Sequence, residues 1–266
     1  MGNAVCGDRP VMRILQLFVK VQADAPLVAC DRLTLVAPEG IVGDRHRQVG
    51  SPRQVLLLDQ ATLDRVGLAP GVLRENVLCG VLPPGLASGR SLELGSAQIR
   101  LTFLCEPCRY LNEIQPGLAQ RLKDQRGWLG MVTQGGQIQV GDRGILGDRC
   151  YPPLPAAARD RFEEFVARIP PGAVVTTADL VLALGVTAAH YRVFPAWMKA
   201  VQAQLPVHRI VSKGGEVFAQ HLPQQAALLQ AEGVTVQNGR VGQGDRWPPE
   251  AFHPLVPLCS GVAPCP

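Results

Sequence analysis

The sequence predicts an α+β chain, with a mostly β, barrel-like domain followed by a small α/β domain of helix-turn-helix, winged-helix-like character. Three observations carry this. The first 150 residues hold short apolar runs separated by glycine turns, the pattern of many short strands. Tyr151-Pro152-Pro153-Leu154-Pro155 then interrupts the chain, because proline can continue neither a helix nor a central strand. Beyond that break, apolar residues recur at helical spacing, and two helices follow one another with a glycine between them.

In chain order, residues 11–21 alternate through Ile14, Leu15, Leu17 and Val19 and read as a strand, as do residues 32–36. Gly40-Ile41-Val42-Gly43-Asp44-Arg45-His46-Arg47 is a glycine-punctuated loop with four titratable side chains in a row, a loop that binds something or solvates a turn. Residues 53–59 form a buried strand with a helix start at Asp59, and residues 73–77 follow the Pro70-Gly71 turn. Further strands are predicted at 91–94, 98–104, 127–132 and 137–142, with a short helix over 118–125. After the prolines, Phe162, Phe165, Val166 and Ile169 mark a helix over 159–168 that Pro170-Pro171-Gly172 stops. Thr176 or Thr177 caps a helix over 178–184, Gly185 turns, and Thr187 caps a second helix running towards Gln204. Pro195 lies inside that second helix, so a break near Phe194 is predicted. The division is therefore 1–150 for the barrel-like domain, 151–158 for a proline-rich linker, 159–238 for the second domain and 239–266 for an irregular tail with no assigned function.

A chain of 266 residues can bury real cores. No apolar run approaches the roughly 20 residues that cross a bilayer, and the N-terminus lacks the charge, apolar stretch and small-residue site of a signal peptide. The expectation is a soluble, cytoplasmic protein without a membrane partner. Cys6, Cys30, Cys79, Cys105, Cys108, Cys150, Cys259 and Cys265 follow no framework spacing, so reduced thiols are expected. With a single close pair, a structural zinc site is not. The net charge of +4 permits nucleic acid as a partner without demanding it. The basic residues are nearly all arginine, a bias that suits phosphate but also follows from a GC-rich genome.

Cys105-Glu106-Pro107-Cys108 ends the 98–104 strand with a turn, which places two soft-ligand thiols at a strand end. The competing reading is a chance C-x-x-C among eight cysteines, with buried thiols acting as small hydrophobes, and the motif alone favours it. More is carried by order. Gly40-Ile41-Val42-Gly43-Asp44-Arg45-His46, Gln54-Val55-Leu56-Leu57, Arg74-Glu75-Asn76-Val77, Glu106-Pro107-Cys108 and Ile138-Gln139-Val140-Gly141-Asp142 together resemble a MOSC domain over about residues 10–148. This β-barrel module is related to the C-terminal part of molybdenum cofactor sulfurases. The resemblance implies a molybdenum cofactor (molybdopterin) with Cys108 as the catalytic thiol and metal ligand, or a sulfur-carrying role for that thiol, and leaves Cys105 as an extra. Arg45, His46, Arg53 and Asn76 are the candidates for holding the cofactor and its phosphate, with ordinary surface exposure as the alternative for each.

In the second half, Pro206-Val207-His208-Arg209-Ile210-Val211, Gly214-Gly215 and Leu228-Leu229-Gln230-Ala231-Glu232-Gly233-Val234 resemble the DNA-binding domain of O6-alkylguanine-DNA alkyltransferases and alkyltransferase-like proteins over about residues 160–236. Val207 stands where the repair enzymes carry their acceptor cysteine, so this chain is not expected to be an alkyltransferase. The resemblance implies a lesion pocket of Val207, His208, Arg209 and Glu232, with His208 and Glu232 holding it by hydrogen bonds. It also implies nucleic-acid contacts from His190, Tyr191 and Arg192, with Arg192 filling the stack vacated by a flipped base, while Trp197 reads as core. Thr177 in place of an aromatic, a shorter connection to Pro206 and the interior Pro195 depart from the family pattern.

Two functions follow. One is a molybdenum-cofactor-dependent oxidoreductase, supplied by an electron-donor protein, that reduces an N-hydroxylated base or related compound and is brought to DNA or RNA by a base-flipping domain, in the service of DNA repair. The other is a non-catalytic lesion recogniser whose barrel carries sulfur or stabilises the fold.

Overall fold

A computed structural model describes residues 11–260. The chain divides into two compact units, one made of residues up to Val49, Arg53–Leu154 and those from Pro254 on, the other of Gly50–Pro52 and Pro155–His253.

In the first unit the strands run β1 Val11–Val19, β2 Val28–Cys30, β3 Arg32–Val36, β4 Gly40–Ile41 and β5 Val55–Asp59, then helix α1 Gln60–Val66 and β6 Val77–Cys79. They continue with β7 Arg90–Leu94, β8 Ala97–Leu104, helices α2 Arg109–Ile114 and α3 Leu118–Arg121, β9 Trp128–Gln134, β10 Gly136–Gln139 and β11 Arg143–Cys150. Seven of these strands close a barrel in the order β11, β7, β8, β9, β5, β6, β1, and the ring is sealed where Val11 pairs with Ile145. Only β5 and β6 run parallel within the ring, and α1 makes the crossover that a parallel pair requires. Asp59 caps α1, accepting from Thr62 N at 2.8 Å, as its position at the strand end predicts. Met12, Ile14, Leu57, Ile99, Leu101 and Val132 fill the interior, whereas Leu58, Leu63, Leu78, Leu111 and Leu118 form a second apolar layer with the helices.

Several sequence expectations are adjusted. Residues 73–76 lie in the connection ahead of β6, and the helix predicted over 118–125 ends at Arg121. Strand β11, which closes the barrel, has the composition Arg-Gly-Ile-Leu-Gly-Asp-Arg-Cys and carries too weak a pattern to be read as a strand. Cys150 is disulfide-bonded, which corrects the expectation of reduced thiols throughout. Pairing depends on Cβ atoms brought to short range by the fold, and sequence spacing does not reveal that. Cys30, Cys79, Cys105 and Cys108 are free, while Cys6 and Cys265 lie outside the described residues.

The second unit contains α4 Ala158–Arg168, β12 Val175–Thr176, α5 Thr177–Ala183, a 3-10 turn Ala188–Arg192 and α6 Phe194–Val201. A 3-10 turn Val207–Arg209 leads into β13 Ile210–Val211, and α7 Gln225–Ala231 precedes the hairpin of β14 Val236–Gln237 and β15 Arg240–Val241. Thr176 and Asp179 form a reciprocal capping box that starts α5. The predicted break falls at Val193, and Pro195 sits in the first turn of α6, where its missing N–H is no loss. Phe162, Phe165, Leu180, Phe194, Val207 and Phe252 lie in one core. The tail is more ordered than its composition suggests: Pro249–Ala251 is a 3-10 turn, and β16 Cys259–Ser260 pairs with β11. Among the described residues, no helix is long and apolar enough to cross a membrane.

Candidate functional site

Two loops are knitted together at the end of β8. Cys105 N donates to Gly127 O at 2.9 Å, Leu104 pairs with Trp128, and Gly127 adopts φ +90°, where a Cβ would collide with the Leu57 carbonyl oxygen. This fixes Arg126 beside the thiol turn. Arg126 is buried at 5% exposure, and its Nη1 donates to Glu106 O at 2.9 Å and to Cys108 Sγ at 3.3 Å. Cys108 is the N-cap residue of α2 and is only half-buried, packing on the layer that contains Leu58, Leu63 and Leu111.

Cys105 faces a different environment. It is buried at 2% exposure among Leu56, Phe103, Leu129 and Leu154, and receives Arg53 Nη2 at 3.4 Å. Glu106 separates the two thiols, since its carboxylate takes Arg53 Nη1 at 3.1 Å while its carbonyl takes Arg126. The C-x-x-C is thus two thiols held by two different arginines. Among the described residues, no group of three or more His, Cys, Asp or Glu could hold a metal ion by itself, so a metal at Cys108 would take its other donors from a cofactor.

The Gly40 loop and the 73–76 turn are joined by a buried polar knot. Asp44 accepts from Lys20 N and Asn76 Nδ2, both at 2.9 Å, and from His46 N at 2.8 Å. Asn76 also donates to Phe18 O at 3.3 Å and accepts from Leu56 N at 3.0 Å. Both ends of the Asn76 amide are therefore engaged with the framework, and the residue sets the shape of the site from beneath. Around the knot stand Lys20, Arg45, His46, Arg53 and Arg74, close enough to act on one another. Burial pushes the Lys20 ammonium below its usual range, Arg74 and Arg45 push it further, and Asp24 and Asp44 oppose them. Burial lowers the pKa of His46, an effect that Asp44 opposes and Arg45, Arg53 and Arg74 reinforce.

Arg74 and Arg126 were not singled out by sequence reasoning, although Arg74 lies in a quoted motif. Arg74 has φ +65°, a left-handed backbone that is strained for a side chain, and its guanidinium lies 3.6 Å from the Tyr110 ring centroid. Arg74 Nε, Arg126 Nε and Glu75 Oε2 are buried without hydrogen-bond partners among the described residues. Burial also raises the pKa of the fully buried Glu75, an effect countered by backbone N–H groups of its own turn and by Arg126. A half-buried thiol that accepts from a buried arginine whose Nε has no partner fits a cofactor that brings anionic oxygens and a thiolate-binding metal. Arg45, His46 and Arg53 lie near one another above Asn76 and Asp44, and Arg53 reaches the Cys105-Glu106 turn that leads to Cys108.

In the second unit, Glu232 accepts from His208 Nε2 at 2.9 Å, from Arg209 Nη2 at 2.7 Å and from Gly172 N at 3.2 Å. Arg209 Nη1 also donates to Ile169 O at 2.6 Å. The Arg209 bonds hold the Glu232 carboxyl down at about 2, with His208 and Gly172 N helping and burial opposing. Val207 is buried at 2% exposure in the apolar core. His190, Tyr191 and Arg192 share the 3-10 turn before α6; His190 packs 5.9 Å from Trp197, Tyr191 meets Phe194 edge-on, and Arg192 is exposed. Trp197 packs on Phe162 and Phe194 at the edge of the core.

Residues 44–143 match the MOSC domain family, and residues 157–234 match the DNA-binding domain of 6-O-methylguanine DNA methyltransferase. Among solved structures, the YuaD protein from Bacillus subtilis is 17% identical, with 52% of this chain and 97% of that chain covered and a TM-score of 0.45. YiiM from Escherichia coli is 17% identical over 73% of this chain and 94% of that one, with a TM-score of 0.42. YiiM from Geobacillus stearothermophilus is 15% identical over 82% and 99%, with a TM-score of 0.40. No curated protein matches the chain. The chain joins a MOSC domain to a DNA-binding domain of the 6-O-methylguanine DNA methyltransferase type.

Proposed function

We propose that the barrel binds molybdopterin with Cys108 as a metal ligand, and that the protein reduces an N-hydroxylated base or related compound under the direction of its DNA-binding domain. The observation that carries this reading is the half-buried Cys108 thiol held by buried Arg126, with Arg53 on the neighbouring Glu106 and a cluster of Lys20, Arg45, His46 and Arg74 elsewhere on the same unit. Those cations suit the cofactor phosphate, and the thiol suits its metal. The bound metal supplies two-electron redox chemistry. The reaction consumes two electrons from a donor protein and two protons, and converts the N-hydroxyl compound to the amine and water. A base inside a duplex keeps its exocyclic nitrogen in pairing, so it must be extruded first, and Arg192 is the residue to fill the gap.

Molybdenum analysis of protein made in a cofactor-competent host tests the cofactor half. Cys108→Ser should lose the metal and Cys105→Ser should keep it; equal loss in both would point to a paired-thiol site. For the targeting half, Arg192→Ala should slow reduction of an N-hydroxylated base in DNA while leaving the free base unaffected, and equal rates on both substrates would show that the domains act separately.

A second reading, lesion recognition without turnover, is favoured by Val207, which leaves the acceptor position without a nucleophile. It expects full-length protein to bind duplex DNA carrying O6-alkylguanine. Transfer of a labelled alkyl group from the lesion to the protein would exclude it.

A further inference from the structure

Arg126 is an expensive residue to bury, because a guanidinium removed from water needs acceptors and counter-charge. Its Nη1 has two acceptors, the Glu106 carbonyl and the Cys108 sulfur, and its Nε has none. Glu75 is near enough to feel the Arg126 charge, yet its Oε2 makes no hydrogen bond. The position of Arg126 is also over-determined. The next residue, Gly127, packs where no side chain fits, and its carbonyl receives the Cys105 N–H. One nitrogen therefore spans the turn, holding the backbone before Cys108 at 2.9 Å and the sulfur itself at 3.3 Å.

We propose that Arg126 is the positioning residue for Cys108, and that its N–H···S hydrogen bond both aims the sulfur and tunes its bond to a soft metal. The inference rests on Cys108 as the metal-ligating thiol. Groups that hydrogen-bond a ligand atom orient it and alter its donor strength, and losing one typically lowers metal affinity about 10–100-fold. A hydrogen bond to sulfur also draws electron density from it, so its removal moves a sulfur-to-metal charge-transfer band to lower energy.

The test uses cadmium(II) on the cofactor-free full-length protein, with the Cys108→Ser spectrum subtracted so that only the band due to Cys108 remains. Arg126→Gln should weaken cadmium binding at Cys108 about 10–100-fold and move the band to longer wavelength. Arg126→Lys, which keeps a cationic donor, should recover part of both. Unchanged affinity and band in Arg126→Gln would overturn the proposal, as would a wild-type protein with no Cys108-dependent band. If thermal unfolding shows that Arg126→Gln does not fold, Arg126→Lys decides: its shorter side chain should hold the sulfur less closely, so cadmium affinity and band should both depart from wild type, and wild-type values for both would overturn the proposal. A positive cadmium result together with a molybdenum-free protein from a competent host would leave Arg126 in this role and remove only the cofactor reading.

Discussion

The Cys108 turn and the Val207 turn are both short loops crowded with basic side chains, but they treat charge in opposite ways. At the Val207 turn, Glu232 receives both His208 and Arg209, and its pKa of about 2 records how completely the carboxylate is used. On the barrel, Lys20, Arg45 and Arg74 lie near one another with Asp24 and Asp44, Arg53 pairs with Glu106, and Arg126 holds the Cys108 sulfur while the nearby Glu75 is buried with a raised pKa. The first arrangement spends its carboxylate on its own arginine and works as a clamp. The second leaves the buried Nε atoms of Arg74 and Arg126 without hydrogen-bond partners among the described residues. Basic residues become informative about ligands only once their carboxylate partners are counted.

Breaking the clamp should have the largest effect on stability. Glu232→Gln leaves Arg209 half-buried without its anion and should destabilise the protein by about 3 kcal/mol in chemical denaturation. The same contact gives a pH dependence. Because the folded-state pKa of Glu232 is depressed from 4.5 to about 2, its contribution is fully present above about pH 4.5 and is lost as pH falls towards 2. Wild-type stability should therefore decline across that window more steeply than that of Glu232→Gln.

A smaller effect separates strain from function at Arg74. Both Arg74→Gly and Arg74→Ala should weaken binding of sulfate by the barrel, measured calorimetrically. Only glycine tolerates φ +65°, so Arg74→Gly should be more stable than Arg74→Ala by about 1–2 kcal/mol. Equal stability of the two variants would show that the left-handed turn relaxes when the side chain is removed.

Much of this contrast was legible in the sequence. His208 and Glu232 were expected to hold their pocket by hydrogen bonds, whereas the grip of Arg209 on Glu232 was not foreseen, and Cys108 was distinguished from Cys105 before their separate surroundings were known. The Gly40 loop announced itself through charge and glycine, and the helix break through Pro195. Arg126 was hidden because it lies 18 residues beyond Cys108, at the start of what reads as an ordinary strand, and only the pairing of β8 with β9 brings it to the thiol. Asn76 was placed among ligand-binding residues because amides bind phosphates well; its burial and bonding to Asp44, Phe18 and Leu56 depend on long-range contacts that no local pattern encodes. Strand β11 and the disulfide at Cys150 depend on barrel closure in the same way.

The smallest effect concerns His46. Burial, helped by Arg45, Arg53 and Arg74, depresses its pKa, and a bound anion would raise it again, so anion binding should take up a proton. Sulfate affinity, with a ligand charge that stays constant near neutrality, should rise by less than about tenfold per unit as pH falls through the lowered His46 pKa. His46→Gln should flatten that slope.

The central claim is that Cys108 places its sulfur on the metal. X-ray absorption at the molybdenum edge of the loaded protein counts sulfur neighbours directly. The account predicts one more sulfur in wild type and Cys105→Ser than in any molybdenum retained by Cys108→Ser. An identical sulfur count in wild type and Cys108→Ser would contradict it.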